Sequence, residues 1–151
     1  MILVLTVGTG TAGQHSNLAA GLINSIRELM STPSFVLLVP SNSPESIDLA
    51  ELVSEECEID SKVAEENLRI DHPYDLYCSM GKIRECLSWV SQYYPKEKVL
   101  VNPTSGTKQM TIGCFLAASE IPGVEICFIG GKRKDGVVVT GTEENLHFEP
   151  N

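Results

Sequence analysis

The sequence has few basic residues and few aromatics. Its 11 Lys and Arg stand against 20 Asp and Glu, which gives a formal net charge of −9, and aromatic residues make up 6%. A protein that binds extended nucleic acid non-specifically needs a basic face to displace counterions from phosphates, and attraction to anionic lipid needs a similar surface. The composition argues against both classes. A total charge does not locate the charges, so a compact phosphate ligand stays open.

Long hydrophobic runs are also missing. The longest, Met1–Val7, is interrupted by Thr6, is followed by Gly8, and lacks the basic start and cleavage site of a signal peptide. The 5 cysteines are odd in number and contain no C-x-x-C pair, so neither a disulfide scaffold nor a zinc site is expected. We predict a cytoplasmic protein without a metal or cofactor. With 151 residues and no internal repeat, the sequence predicts a single domain over residues 1–151.

Short apolar runs alternate with amphipathic segments, which predicts strands alternating with helices. The predicted strands are Leu3–Val7, Phe35–Val39, a weaker one at Asn67–Ile70, Lys98–Asn102, Val124–Ile129 and Val137–Val139. The predicted helices are Ser16–Met30, one capped by Ser43, one from Asp75 to Tyr94, and Thr107–Ser119. Because the strands are apolar throughout, we expect a Rossmann-like α/β fold, with a mostly parallel six-stranded sheet and helices on both faces. The last two strands, joined by a turn at Asp135-Gly136, are expected to form an antiparallel C-terminal edge hairpin.

In such folds ligands bind beyond the carboxyl ends of the strands, where the winding reverses, and the first strand ends there in a glycine-rich loop. The loop, Val7-Gly8-Thr9-Gly10-Thr11-Ala12-Gly13, matches G-x-G-x-x-G. A nicotinamide or flavin site would also need an acid where the second strand ends, but Ser41 and Asn42 stand there. A P-loop would need Lys-Ser where the chain has Gln14-His15. The loop can therefore hold phosphate or ribose, or it is a tight turn without a ligand.

The loop after the fourth strand, Asn102–Thr111, is rich in hydroxyl groups and ends with Lys108 in the first turn of a helix. A lysine there opposes the helix dipole, at a cost of roughly 0.3–1 kcal/mol unless an anion offsets it. The dense hydroxyl groups have no packing role that the sequence reveals. We therefore predict a bound phosphate; the alternative is a solvated lysine on a capped helix.

Together these two loops carry a resemblance to a known family. Val7-Gly8-Thr9-Gly10-Thr11 with Asn102-x-Thr104-x-Gly106-Thr107-Lys108-x-Met110 resembles the CRISPR-associated Rossmann-fold (CARF) domain, as found in the sensor modules of type III CRISPR accessory effectors. The resemblance covers the chain from the first strand to the closing hairpin. It implies a homodimer that binds a cyclic oligoadenylate second messenger across its two-fold axis. Cyclic tetra-adenylate is the ring we expect, but these residues do not distinguish four adenylates from six. Some such domains also cleave the ring, without a metal, to products with 2′,3′-cyclic phosphate ends.

The resemblance also implies which residues contact the ligand. They are Gly8, Thr9, Gly10, Thr11, Ser41, Asn42, Asn102, Thr104, Ser105, Gly106, Thr107 and Lys108. Lys108 would meet phosphate, and any ring cleavage would rest on Lys108, Thr11 and Ser105. His15 is a candidate general base, although a capping or solvated histidine is the simpler interpretation. No aromatic side chain occurs in these two loops or at Ser41 and Asn42 after the second strand, so we expect the adenines to lie in pockets rather than in open stacks.

Other candidate features have simpler interpretations. Asp71, His72 and Asp75 are expected to form a loop and a helix cap rather than a metal site. Lys132-Arg133-Lys134 predicts a solvated hairpin turn. The sequence contains no ribonuclease-type Arg–His motif and no carboxylate cluster of the kind that suggests a metal nuclease, so an effector domain is not expected within residues 1–151 and would be fused or separate. The competing hypotheses are a small Rossmann-type enzyme or regulator for a mononucleotide, and a structural dimerisation module.

The distribution of charge agrees with a phosphate ligand. Of the 20 acidic residues, 11 lie between Glu45 and Asp75, together with 2 basic residues. Residues 1–27 and 99–119, which contain the two loops, hold no acid at all. The acids are therefore separated in sequence from both loops, and the composition excludes long nucleic acid without excluding a compact cyclic one.

Overall fold

The apolar runs of the sequence form buried strands in a computed structural model that describes residues 1–9, 15–134, 137–139, 141–142 and 144–150. The strands are β1 (Ile2–Val7), β2 (Phe35–Pro40), β3 (Ser61–Val63), β4 (Val99–Asn102), β5 (Glu125–Gly130), β6 (Arg133–Lys134), β7 (Val137–Val138) and β8 (Glu144–Phe148). The helices are α1 (His15–Arg27), α2 (Pro44–Glu56), α3 (Leu76–Tyr93) and α4 (Lys108–Ser119), with a 3₁₀ turn at Glu66–Leu68.

Six strands form one sheet in the order β3-β2-β1-β4-β5-β8, and only the β5–β8 pair is antiparallel. Every residue of β1 is buried because helices cover both faces of the sheet. Leu3 and Leu5 pack toward α1 and α2, whereas Ile2 and Val4 pack toward α3 and α4. The winding reverses between β1 and β4, and the expected Rossmann-like fold is confirmed.

The third strand lies in a different segment from the one predicted. The predicted strand at Asn67–Ile70 is wrong: the chain there makes a 3₁₀ turn, and Ile70 forms one isolated bridge with Ser41. Leu68 and Ile70 are apolar because they fill the core. The actual strand, β3, has three partly buried residues at the edge of the sheet, so it leaves no hydrophobic run in the sequence.

The antiparallel edge is formed by a different segment from the one predicted. Val137–Val138 pairs with Arg133–Lys134 in a separate two-stranded sheet, and β8 is the edge strand beside β5. Most of β8 is exposed, and an edge strand with so little burial has no continuous apolar pattern. The predicted turn at Asp135-Gly136 lies outside the described residues.

The predicted helix caps are confirmed. Ser43 Oγ accepts the Ser46 amide at 3.3 Å, and Asp75 Oδ1 accepts the Cys78 amide at 3.0 Å. These caps satisfy amides that a helix start leaves without intrahelical partners. The first helix, in contrast, ends at Arg27 rather than at Met30.

The five cysteines are free thiols. Burial raises the pKa of Cys86 to about 12, so this thiol stays protonated at neutral pH. Across the described ranges, no cluster of three or more metal-binding side chains occurs. None of the helices described is long and apolar enough to cross a membrane.

Candidate functional site

A cavity of about 500 Å³ lies where β1, β2 and β4 end. This is the place where the winding of the sheet reverses, the usual binding position in open α/β folds. Seven of the predicted contact residues line it: Gly8, Thr9, Ser41, Thr104, Ser105, Gly106 and Thr107. Asn42, Asn102 and Lys108 are not among the lining residues, and Gly10 and Thr11 lie outside the described residues.

The two predicted loops touch at their glycines. A Cβ atom added at Gly8 would lie 2.5 Å from Gly106 Cα and 2.8 Å from Gly106 N. Gly106 itself has a φ of 126°, a conformation that other residues rarely adopt. Both positions therefore require glycine, and this close approach joins the two loops into one wall of the cavity.

Hydrogen bonds fix the same wall. Ser105 Oγ accepts the Gly8 amide at 3.0 Å, and the buried Thr6 donates its hydroxyl to Ser105 O at 2.7 Å. Thr6 belongs to β1, so the loop after β4 is attached to the neighbouring strand. The Ser105 side chain, predicted as a candidate for catalysis, thus has a structural role in the described chain.

Asn102 and Thr104 shape the start of the second loop. The Asn102 side chain is buried, and its Oδ1 accepts the Thr104 amide at 3.1 Å and the Thr104 hydroxyl at 2.7 Å. Thr104 Oγ1 in turn accepts the Ile129 amide of β5 at 2.7 Å. Asn102 therefore orders the loop from below the cavity instead of facing it.

The inference that the loop's hydroxyl groups lack a packing role is thus wrong. In addition to Thr104 and Ser105, Thr111 donates to Pro103 O at 2.8 Å, and Thr107 Oγ1 accepts the Met110 amide at 3.1 Å as the cap of α4. Thr107 also donates to Pro73 O. The hydroxyl groups hold the loop in shape and do not by themselves indicate a ligand, whereas the cavity offers the space for one.

The Thr104 hydroxyl allows a direct test of this network. The near-isosteric Thr104→Val variant removes a group that both donates to Asn102 and accepts from Ile129. We expect the free energy of unfolding, measured in urea, to fall by about 1–3 kcal/mol because buried polar groups lose their partner. The control variant Thr104→Ser keeps the hydroxyl and should retain most of the stability. A valine variant as stable as the wild type would show that the network contributes nothing.

The cavity walls also include residues that the sequence analysis missed. They are Asn17, Leu18, Gly21 and Leu22 of α1, with Ser43, Pro73, Tyr74, Met110, Ile129, Arg133 and Val138. Helical periodicity showed only that α1 has an inner face, and tertiary packing brings its first turns to the cavity. Arg133, predicted to lie in a solvated turn, is the one charged side chain among the described lining residues, and none of them is acidic.

The remaining candidates lie around the cavity. Lys108 is exposed and is the first residue of α4. Asn42 donates its side-chain amide to Asp71. His15 Nε2 lies 3.1 Å from Thr9 O. A carbonyl can only accept, so Nε2 carries the proton in this contact and Nδ1 is the nitrogen left to act as a base.

Comparison with known proteins supports the fold. No protein-family model and no curated protein sequence matches this chain. Among solved structures, Enterococcus italicus Csm6 bound to cyclic hexa-2′-fluoro-hexa-dAMP matches 85% of this chain and 32% of its own, at 18% identity and a TM-score of 0.52. Can2 from Sulfobacillus thermosulfidooxidans in complex with cyclic tetra-adenylate matches the same shares, 85% and 32%, at 17% identity and a TM-score of 0.52.

A third similar structure is protein VC1899 from Vibrio cholerae, with 13% identity, a TM-score of 0.52, and coverage of 85% of this chain and 30% of its own. The chain thus spans about a third of the length of each of these proteins. The resemblance seen in the two loop motifs and the match in structure agree. The chain therefore has the CRISPR-associated Rossmann fold that its two loop motifs resemble, the fold that it shares with Csm6 and Can2.

Proposed function

We propose that this chain is a sensor domain of type III CRISPR antiviral signalling, which binds a cyclic oligoadenylate as a homodimer, with cyclic tetra-adenylate as its ring. The observation that carries the proposal is the cavity at the reversal of the sheet, whose described lining is uncharged except for Arg133. The shared fold with Csm6 and Can2, whose structures contain cyclic oligonucleotides, supports it. An effector controlled by this sensor would be fused to it or separate.

The size of the cavity supports a dimer. A cavity of about 500 Å³ has room for a drug-sized ligand. A ring of four nucleotides is larger than such a ligand. Two copies related by a two-fold axis would present the cavity twice to a ring that has even symmetry. The complete site would then lie between the copies, and each copy would contact half of the ring.

Helix α4 provides a surface for this association. Met110 and Cys114 face the core, but Ile112 and Leu116, one turn apart, are 49% and 40% exposed. A helix that is apolar on both faces is typical of one covered on both sides. Because Thr107, the cap of α4, lies in the cavity wall, a second copy packed along Ile112 and Leu116 would bring the two cavities close together.

Lys108 fits the same arrangement. It lies outside the wall of the single-chain cavity, at the exposed start of α4. A lysine at this end of a helix is unfavourable unless an anion lies nearby. A phosphate of a ring that extends from one copy to the other would supply that anion, together with the free amides of the first turn.

Calorimetric titration tests the proposal. The wild type should bind a cyclic oligoadenylate more tightly than AMP or ATP, and the Lys108→Ala variant should weaken this binding by about 10- to 100-fold, the range for a lost charge-assisted hydrogen bond. The matched control is Lys98→Ala, which removes an exposed lysine at the other end of the strands. Binding of mononucleotides instead of rings would favour a mononucleotide enzyme or regulator, and no nucleotide binding would favour a dimerisation module.

Slow turnover of the ring is the finer part of the proposal. In such cleavage the ribose 2′-oxygen bonds to phosphorus, the bond from phosphorus to the 5′-oxygen breaks, the 2′-hydroxyl loses its proton and the 5′-oxygen gains one. Lys108, Ser105 and Thr11 are the proposed catalytic residues, with His15 Nδ1 as a proton acceptor. A long single-turnover incubation of cyclic tetra-adenylate in chelator should yield 2′,3′-cyclic phosphate ends slowly. An intact ring would leave sensing without turnover.

A further inference from the structure

One exposed aromatic residue lines the cavity. Tyr74 is 78% exposed, and it is the one aromatic side chain among the described residues of the lining. It belongs neither to the two glycine-containing loops nor to the segment after β2. It comes from a fourth segment, residues 71–75, which connects the bridge at Ile70 to α3.

The backbone that carries Tyr74 is firmly held. The Asp75 amide donates to His72 O at 3.0 Å, which closes a turn with Pro73 at its second position. Asp75 then caps α3, and Thr107 donates its hydroxyl to Pro73 O. The segment is thus attached both to its own helix and to the cap of α4, while the phenol ring projects with little burial.

Core packing does not account for an aromatic side chain at Tyr74. A side chain that is 78% exposed contributes little buried apolar area to the fold. Tyrosine offers a large, rigid aromatic face that loses little conformational entropy on binding, since it has two side-chain torsions. Elsewhere the described lining offers hydroxyls, glycines, aliphatic side chains, the Met110 thioether, the Asn17 amide and the Arg133 guanidinium, but no second aromatic face.

We propose that Tyr74 stacks on a nucleobase of the bound ring and supplies part of the affinity, an assignment that rests on the proposed function. Stacking on an aromatic face is tolerant of base identity because every base has a π-face. Tyr74 therefore contributes to how tightly a ring is held, and the choice of adenine has to come from polar groups elsewhere. We expected the adenines in pockets rather than in open stacks because the two loops and the segment after β2 lack an aromatic residue, and residues 71–75 supply one.

The experiment compares four proteins by titration with cyclic tetra-adenylate and cyclic hexa-adenylate. Tyr74→Ala should weaken binding by about 5- to 150-fold, the range that base stacking gives on alanine substitution. Tyr74→Phe should bind the ligand like the wild type because phenylalanine keeps the aromatic ring. Tyr77→Ala is the matched control: Tyr77 is also 78% exposed, three residues further along, but it does not line the cavity, so its removal should leave binding unchanged.

The outcomes separate this assignment from the proposed function. If the wild type binds a ring and Tyr74→Ala binds it equally well, the stacking assignment is overturned and the sensor proposal stands. If Tyr74→Phe binds as weakly as Tyr74→Ala, the tyrosine hydroxyl and not its aromatic ring supplies the affinity, and the stacking assignment is again overturned. An equal loss in Tyr77→Ala would point to a general surface effect and contradict the assignment. A wild type that binds neither ring overturns the proposed function and the assignment with it.

Discussion

A Gly8→Ala variant is expected to lose about 3 kcal/mol of unfolding free energy, the upper end of the range for overpacking, and to bind the ring more than tenfold less tightly. The added Cβ would lie 2.5 Å from Gly106 Cα, and a backbone atom cannot rotate away as a side chain can. The loops after β1 and β4 would have to separate, which also strains the hydrogen bond from the Gly8 amide to Ser105. Urea denaturation and calorimetric titration measure the two effects.

The chain offers a matched control for this variant. Gly81 lies in the interior of α3, and a Cβ added there meets nothing within 4 Å. Gly81→Ala should therefore stabilise the protein by about 0.5–1 kcal/mol, since alanine loses less backbone entropy in a helix. Two alanine variants with the same stability as each other would contradict the close contact of the loops.

Placing Glu at both Ile112 and Leu116 is expected to convert a dimer to a monomer and to lower ring affinity more than 100-fold. In the proposed dimer these side chains pack against a second copy, so the double variant would bury several unpaired carboxylates at one interface. The loss of half of the binding site then follows from the loss of the partner. Analytical ultracentrifugation gives the oligomeric state, and titration gives the affinity.

Met30→Glu is the control for added surface charge. Met30 is 97% exposed, follows α1 in the chain and lines the second, smaller cavity at the amino end of the strands. This variant should remain a dimer and bind the ring like the wild type. A wild type that sediments as a monomer at high concentration, or a double variant that still dimerises, would refute the interface along α4.

The sequence predicts those parts of the fold in which local physics is sufficient. The central strand β1 is a continuous apolar run because helices bury both of its faces, and Ser43 and Asp75 cap helices through contacts three residues away. The edge strands could not be predicted in this way. β3 has only three residues, all partly buried, and leaves no hydrophobic pattern, and most of β8 is exposed, so the membership of both strands in the sheet depends on neighbours that are distant in sequence.

The site shows the same division. The motif positions Gly8 and Gly106 could be found because glycine marks places where backbones approach closely. Tyr74 and Arg133 could not, because nothing in their local sequence indicates that the fold brings them to one cavity. The structural role of the hydroxyl groups could not be predicted for a related reason: Thr104 accepts a hydrogen bond from the Ile129 amide, and a local sequence pattern does not show so distant a partner.

The hydrogen bonds that form the cavity wall also bear on the order of folding. Gly8 and Ser105 are 97 residues apart, and Thr6 reaches the same loop across 99 residues. Such contacts require β1 and β4 to be paired, so a fragment of the chain that lacks either strand does not contain the cavity. The entropy cost of closing this long loop must therefore be met before the cavity can form. A ligand held there therefore stabilises the whole domain against unfolding, by about 2.7 kcal/mol when its concentration is 100 times its dissociation constant. Occupancy of the cavity and integrity of the sheet become one equilibrium, so the unfolded fraction of the domain falls as the ligand becomes more abundant.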